Sequence, residues 1–239
     1  MPQFIHYLSI ATTVLSAIFA VILLNRFRTQ KQSLHLLWWG IGFVAFGIAT
    51  GLVSALTLLG NSVVLTKAWL VAVPFVTYPL ALGTAYLVLE RKTADRLTAI
   101  TLPIMLLVAV LIILSPVASD ALEAVRPSAR ILAWTWALVL RRITGLCAVL
   151  FLVGVAIWSA YRFWRSKVPG YGQRAIGTML MAIGTRLLSF GVFFAGMGYV
   201  EAMYLGEFFG LLFIWTGVVF NIRAPRPSLN ETNAGAPAG

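Results

Sequence analysis

The chain has 239 residues, 60% of them hydrophobic and 10% charged, where a soluble domain carries roughly 25% charged residues. A mean hydropathy of +0.92 excludes an ordinary soluble domain and predicts an all-α integral membrane protein with almost nothing outside the bilayer. The net charge of +11 does not point to nucleic acid, because the basic residues lie between apolar runs, where they meet anionic lipid headgroups and control topology.

At about 20 apolar residues per crossing, seven spans emerge in chain order. The first covers Ile5–Leu24; its positive charges follow the apolar run, which describes a retained span and not a cleaved signal. The second covers Leu34–Leu56. The third, Val64–Leu89, contains Pro74 and Pro79, which are expected to kink it and free backbone carbonyls. The fourth covers Leu97–Leu114.

The fifth span lies in "ILAWTWALVLRRITGLCAVLF", which is apolar on both sides of Arg141 and Arg142. An arginine at mid-membrane costs roughly 2.5–3.5 kcal/mol on insertion scales, so the crossing is expected to run from Ile143 to Ser159. Residues 117–142 then form an outer helical segment, either an extension of the same helix or a helix at the interface. Pro127 suits its first turn, and Trp134 and Trp136 suit the interfacial belt. Ten apolar residues cannot stand freely in water, so "ILAWTWALVL" is expected to bury itself on the bundle, lipid or a partner. Trp134, Trp136, Arg141 and Arg142 are its docking candidates. The sixth span covers Ala175–Met197 and the seventh Ala202–Ile222. Residues 1–223 thus make a seven-helix transmembrane domain, and "APRPSLNETNAGAPAG" (224–239) reads as a disordered cytoplasmic tail.

Charge orients the bundle. With the N-terminus outside, twelve basic residues fall inside: Arg26, Arg28, Lys31, Arg91, Lys92, Arg96, Arg162, Arg165, Lys167, Arg174, Arg223 and Arg226. Five fall outside: Lys67, Arg126, Arg130, Arg141 and Arg142. Lys/Arg bias therefore predicts N-out, C-in. A possible duplication also shows. Arg26 with Arg162, Gly47 with Gly184, and Gly60 with Gly198 are offset by 136, 137 and 138 residues. This suggests a 3+1+3 parallel repeat around span four, although glycines and basic inner connections recur in any multi-helix protein.

Few residues carry chemistry. Glycines at positions 40, 42, 47, 184, 191, 196, 206, 210 and 217 suit close helix packing. Cys147, the lone cysteine, excludes an intrachain disulfide and is expected to be buried and inert. His6 and His35 fall near opposite membrane faces, and no HExxH, GxSxG or Walker sequence occurs, so neither a metal site nor a catalytic residue is expected. Arg186 is the one basic residue deep in a span. Glu207 falls at a similar depth in the next span, with Tyr204 and Glu201 above it. Arg186 and Glu207 are therefore expected to pair, lining either a polar site open outward or a purely structural contact.

Resemblances narrow the function. The topology resembles that of retinal proteins, but span seven, "AMYLGEFFGLLFIWTGVVFNI", lacks the lysine that retinal needs, and the cofactor is left unknown. Sugar transporters built from two triple-helix bundles have a Pro-Gln signature that "VPFVTYPL" does not supply. "LHLLWWGIGFVAFGIATGL", following a basic connection, resembles the seven-helix membrane sensor region of some bacterial histidine kinases; the likeness covers one span by pattern and the rest by topology. It implies a multi-pass sensor in a bacterial inner or plasma membrane. No kinase domain is present, so signalling would need a separate membrane-protein partner beside the surrounding lipids. The open classes are this ligand-sensing or signal-relaying module, an accessory or stabilising subunit of a membrane complex, and a small transporter or channel, with an enzyme disfavoured.

Overall fold

The computed structural model describes residues 7–30, 33–118, 128–166 and 171–224. Its helices are α1 (Leu8–Thr29), α2 (Leu34–Leu59), α3 (Val63–Ala72), α4 (Pro74–Val88), α5 (Arg91–Leu114), α6 (Thr135–Ser166), α7 (Tyr171–Gly196) and α8 (Glu201–Arg223), with a 3-10 turn at Ala129–Ile131. Among the described residues seven units are long and apolar enough to cross a membrane, α3 and α4 forming one of them. The protein is an all-helical, multi-pass membrane bundle.

The third span bends where its sequence demands. Pro74 has no N–H to give Leu70, and Val76 N–H turns back to the Val73 carbonyl at 3.1 Å, a tightened bond that ends α3 and starts α4. Pro79 and Pro103 lie within α4 and α5. The fourth crossing starts at Arg91, earlier than the apolar run alone indicates, because Arg91–Arg96 continue the helix into the polar zone.

α6 runs unbroken through Arg141 and Arg142. Its 32 residues span about 48 Å at 1.5 Å per residue, longer than the roughly 30 Å hydrocarbon layer, so from Thr135 onward it is one helix that outreaches the membrane. The outer segment departs from expectation before that point. Val117 pairs with Leu132 in an antiparallel bridge, Ala118 N–H donates to the Ile131 carbonyl at 2.9 Å, and Ala133 N–H donates to the Pro116 carbonyl at 3.0 Å. The segment therefore comprises a short 3-10 turn and an isolated bridge and reaches α-helix only at Thr135, and Ile131 and Leu132 are buried in the main core. This clasp marks one end of the bundle, called here the capped end. Residues 119–127 with Pro127, His6, Lys31, Lys167 and the tail beyond Ala224 lie outside the described residues.

In space α1 packs on α2, α2 on α3 and α4, α4 on α6, α6 on α7, α7 on α8, and α8 returns to α1. α5 stands outside this ring against α3, α4 and α6. Lys67 Nζ reaches from α3 to donate to the Ile113 and Ser115 carbonyls at 2.9 and 2.7 Å, satisfying acceptors that the end of α5 leaves open.

α1 shows how a membrane bundle inverts soluble patterning. Its buried positions include Ser9, Thr12 and Ser16, while Val14, Ile18, Val21 and Ile22 are exposed on the opposite side. Lipid is as apolar as leucine, so small and hydrogen-bonding side chains gain most from facing another helix. Ser16 Oγ donates to the Phe43 carbonyl at 2.7 Å and Thr13 Oγ1 to Thr50 Oγ1 at 2.9 Å. The predicted duplication gains no support: Gly47 of α2 faces Ser16 of α1, whereas Gly184 of α7 faces Gly210 and Ile214 of α8. Cys147 is exposed on α6, so the expected buried thiol is corrected: an apolar stretch in a membrane span has a lipid-facing side, and Cys147 lies on it.

Candidate functional site: a basic cavity at the capped end

α2, α3, α4, α6, α7 and α8 contribute to one cavity of about 1010 Å³. Its walls come from Phe46 and Thr50 of α2, the Val73–Pro74 bend, the clasp at Ser128–Leu132, the first four turns of α6, the last three turns of α7 and Glu207 of α8. The Pro74 bend thus forms cavity wall. Below it, aromatic packing fills the ring: Phe19 stacks on Trp215 at 4.0 Å between ring centroids, and Phe43 meets Trp215 edge-on at 5.8 Å.

Arginine dominates the ionisable lining. Arg130, Arg141, Arg142 and Arg186 face the cavity with a single carboxyl group, Glu207. Arg141 stands about 9 Å from the start of α6 at 1.5 Å per residue, and helical side chains tilt toward the N-terminus, here the capped end. Its Nε is buried with no hydrogen-bond partner among the described residues. A guanidinium keeps its charge and its five donors, so such an orphan is costly unless an acceptor meets it. Arg186 starts deeper, about 15 Å from the end of α7. Its guanidinium lies 5.1 Å from the ring centroid of Phe190, one turn nearer the capped end.

Arg186 and Glu207 share the cavity wall, but they are not joined as an ion pair. Arg91 and Asp95 form an ion pair at 3.9 Å, solvent-exposed and away from the cavity. Glu207, only 7% exposed, is met instead by Ser9 Oγ of α1, 3.2 Å from Oε2. Similar depth on adjacent helices therefore did not bring the charges together, because Glu207 sits on the α1 side of α8 while Arg186 turns away over Phe190. Tyr204 is buried in the apolar core, and Glu201 is half-buried at the start of α8; neither lines the cavity. Trp134 and Trp136 stack on each other with centroids 5.5 Å apart and also lie off the lining, while Arg141 and Arg142 belong to it.

Several lining residues escaped the sequence reading. Arg130 enters only because the clasp folds the connection back over the bundle. Thr185, Arg186 and Ser189 carry a legible signal, since polar residues at i, i+1 and i+4 fall on one helical face within an apolar span. The opening of the cavity is also a tertiary matter. α6 and α7 close tightly through Ala148, Leu152 and Ala182 against Ala81. Nearer the capped end, Leu146 and Phe193 line the cavity while 51% and 61% exposed. A Cβ added to Gly145 would find nothing within 4 Å. The two helices therefore leave a sideways cleft at that level. Among the described residues no three His, Cys, Asp or Glu side chains gather where a metal ion could bind. No family model, curated protein or solved structure matches the chain, which leaves the cavity's own residues to indicate its use.

Proposed function

We propose that the protein is a ligand-sensing or signal-relaying membrane module, that the capped-end cavity is its ligand site, and that it acts through a separate membrane-protein partner. The observation that carries this reading is the cavity itself: about 1010 Å³, mostly apolar in residue type, with arginines that no carboxylate among the described residues pairs. Ligand sites have this character, a large apolar enclosure of roughly 300–1,000 Å³ with a few convergent polar groups. No catalytic residue is assigned. The Lys/Arg distribution supports N-out, C-in in a cell membrane, which would turn the cavity toward the outer face.

Gly145→Trp tests the site, because Gly145 lines the cavity and a Cβ there meets nothing within 4 Å, so the side chain starts from open space. A stoichiometric protein partner is expected to co-purify with the wild type in mild detergent, and the variant is expected to fold and to change its yield. A folded variant with unchanged partner association would overturn the sensing role.

An accessory subunit of a larger complex is the second reading. Trp136 favours it, a large aromatic side chain 52% exposed at the capped end and of the kind that anchors interfaces.

A further inference from the structure

We propose that the occupant of the cavity is an anionic phospholipid drawn from the bilayer through the α6–α7 cleft, its phosphate held by Arg141, Arg142 and Arg186. The inference rests on reading the cavity as a ligand site and goes further by naming the ligand's chemistry and its route of entry.

Three observations converge on it. The first is charge. Arg130, Arg141, Arg142 and Arg186 line the space, and the one opposing group among the described residues, Glu207, is engaged by Ser9. Among the described residues no carboxylate complements these arginines, and an anion would. The second is the orphaned Nε of Arg141. Guanidinium donors match phosphate oxygens in a planar fork; the Thr185 and Ser189 hydroxyls on the same lining already donate to the Ala182 and Thr185 carbonyls, which leaves the arginines as the donors. The third is the form of the opening. A site for a small aqueous anion needs a polar mouth and has no use for an apolar side wall. Here Leu146 of α6 and Val192 and Phe193 of α7 line the cavity and are also exposed beside the α6–α7 cleft. That cleft lies within spans apolar enough to sit in hydrocarbon, so what passes sideways through it meets acyl chains. Arg186 joins Arg141 and Arg142 on the same lining, its guanidinium 5.1 Å from the Phe190 ring centroid. Positive heads above an apolar slot are complementary to one molecule with an anionic head and a hydrocarbon tail.

The test is native mass spectrometry of the full chain in mild detergent. The probes are phosphatidylglycerol and phosphatidylcholine of identical acyl chains, with inorganic phosphate as a third arm. One phosphatidylglycerol is expected to be retained about tenfold better than phosphatidylcholine, about 1.4 kcal/mol, because the two share the phosphate but the quaternary ammonium of choline would be placed among the arginines and cancels the net negative charge. Arg141→Gln and the more exposed Arg186→Gln should each reduce that preference. Arg28→Gln, outside the cavity, should leave it unchanged, and thermal unfolding of each variant reports folding. Equal retention of the two lipids by the wild type would overturn the proposal. So would displacement of phosphatidylglycerol by millimolar inorganic phosphate, which would assign the arginines to a free anion. If lipid preference is absent while Gly145→Trp still alters partner association, the cavity is a ligand site of other chemistry. If Gly145→Trp abolishes lipid retention without affecting the partner, the lipid site stands and the sensing role falls.

Discussion

The hydroxyl oxygen of Ser9 lies 3.2 Å from Glu207 Oε2 and 3.0 Å from the Thr50 carbonyl oxygen, so one side chain ties the first span to the second and the last. This contact closes the ring at the level of the cavity. Ser9→Ala removes it and strands a buried carboxyl group, at an expected cost of about 1–3 kcal/mol. Glu207→Gln keeps size and hydrogen-bonding capacity and should cost less than Glu207→Leu. In a double-mutant cycle by thermal unfolding in detergent, Ser9→Ala and Glu207→Leu should couple by about 0.5–3 kcal/mol. Arg186→Met and Glu207→Leu should be additive; coupling of that second pair instead would show that the arginine, and not the serine, is the partner.

The α7–α8 seam is built on glycine. A Cβ on Gly184 would lie 2.7 Å from the Gly210 carbonyl oxygen, and one on Gly210 would lie 2.9 Å from the Gly184 carbonyl oxygen. The same relation links Gly177 with Gly217, while Gly191 and Gly206 approach each other at their Cα atoms. Backbones this close exchange dispersion contacts that a side chain would hold apart. Gly184→Val should therefore destabilise the bundle by about 1–3 kcal/mol or more, as overpacking does. Gly154→Ala, where nothing lies within 4 Å, should be neutral or gain up to about 1 kcal/mol from helix propensity. Thermal unfolding that ranks them the other way would remove the seam as the organising contact.

The clasp is expected to hold the capped end through burial as well as hydrogen bonds. Leu132 is almost fully buried among core residues, so Leu132→Ala should cost about 2–5 kcal/mol. Protease cleavage in the 119–127 connection should rise in that variant. Unchanged stability and unchanged cleavage would show that the clasp carries no load.

Trp136 separates the two readings of function. Trp136→Ser is expected to leave thermal unfolding nearly unchanged, because the ring is half-exposed. If the protein serves as an accessory subunit, partner recovery should fall several-fold; full recovery would leave Trp136 a lipid-facing side chain. The predicted orientation has its own check. Single cysteines replacing Ser119 and Ser228, in a Cys147→Ser background, should label from opposite sides with an impermeant reagent. Labelling from one side would remove the odd number of crossings.

What the chain alone determines here follows from local physics. An apolar run of about 20 residues must be helical in a bilayer, because no water is present to satisfy its backbone, so the seven crossings were legible from composition and length. The Pro74 bend was equally local, since a missing N–H acts within one turn. The continuous α6 was only half-legible: the cost of Arg141 and Arg142 placed them away from mid-membrane, but not on a cavity wall.

Neighbours decided the rest. Lipid gives no solvent contrast, so hydrophobic periodicity does not reveal which face of α1 or α7 turns inward; the polar stripe of Ser9, Thr12 and Ser16 became a buried face only against α2 and α8. Arg186 and Glu207 matched in depth, yet depth is one coordinate, and rotation about each helix axis separated them. That rotation is set by glycine packing along α7 and α8, which a single helix does not encode. The cavity exists for the same reason: α6 meets α7 through Ala148, Leu152 and Ala182 at one level and leaves a cleft at the next, a relation between helices that appears only when they pack.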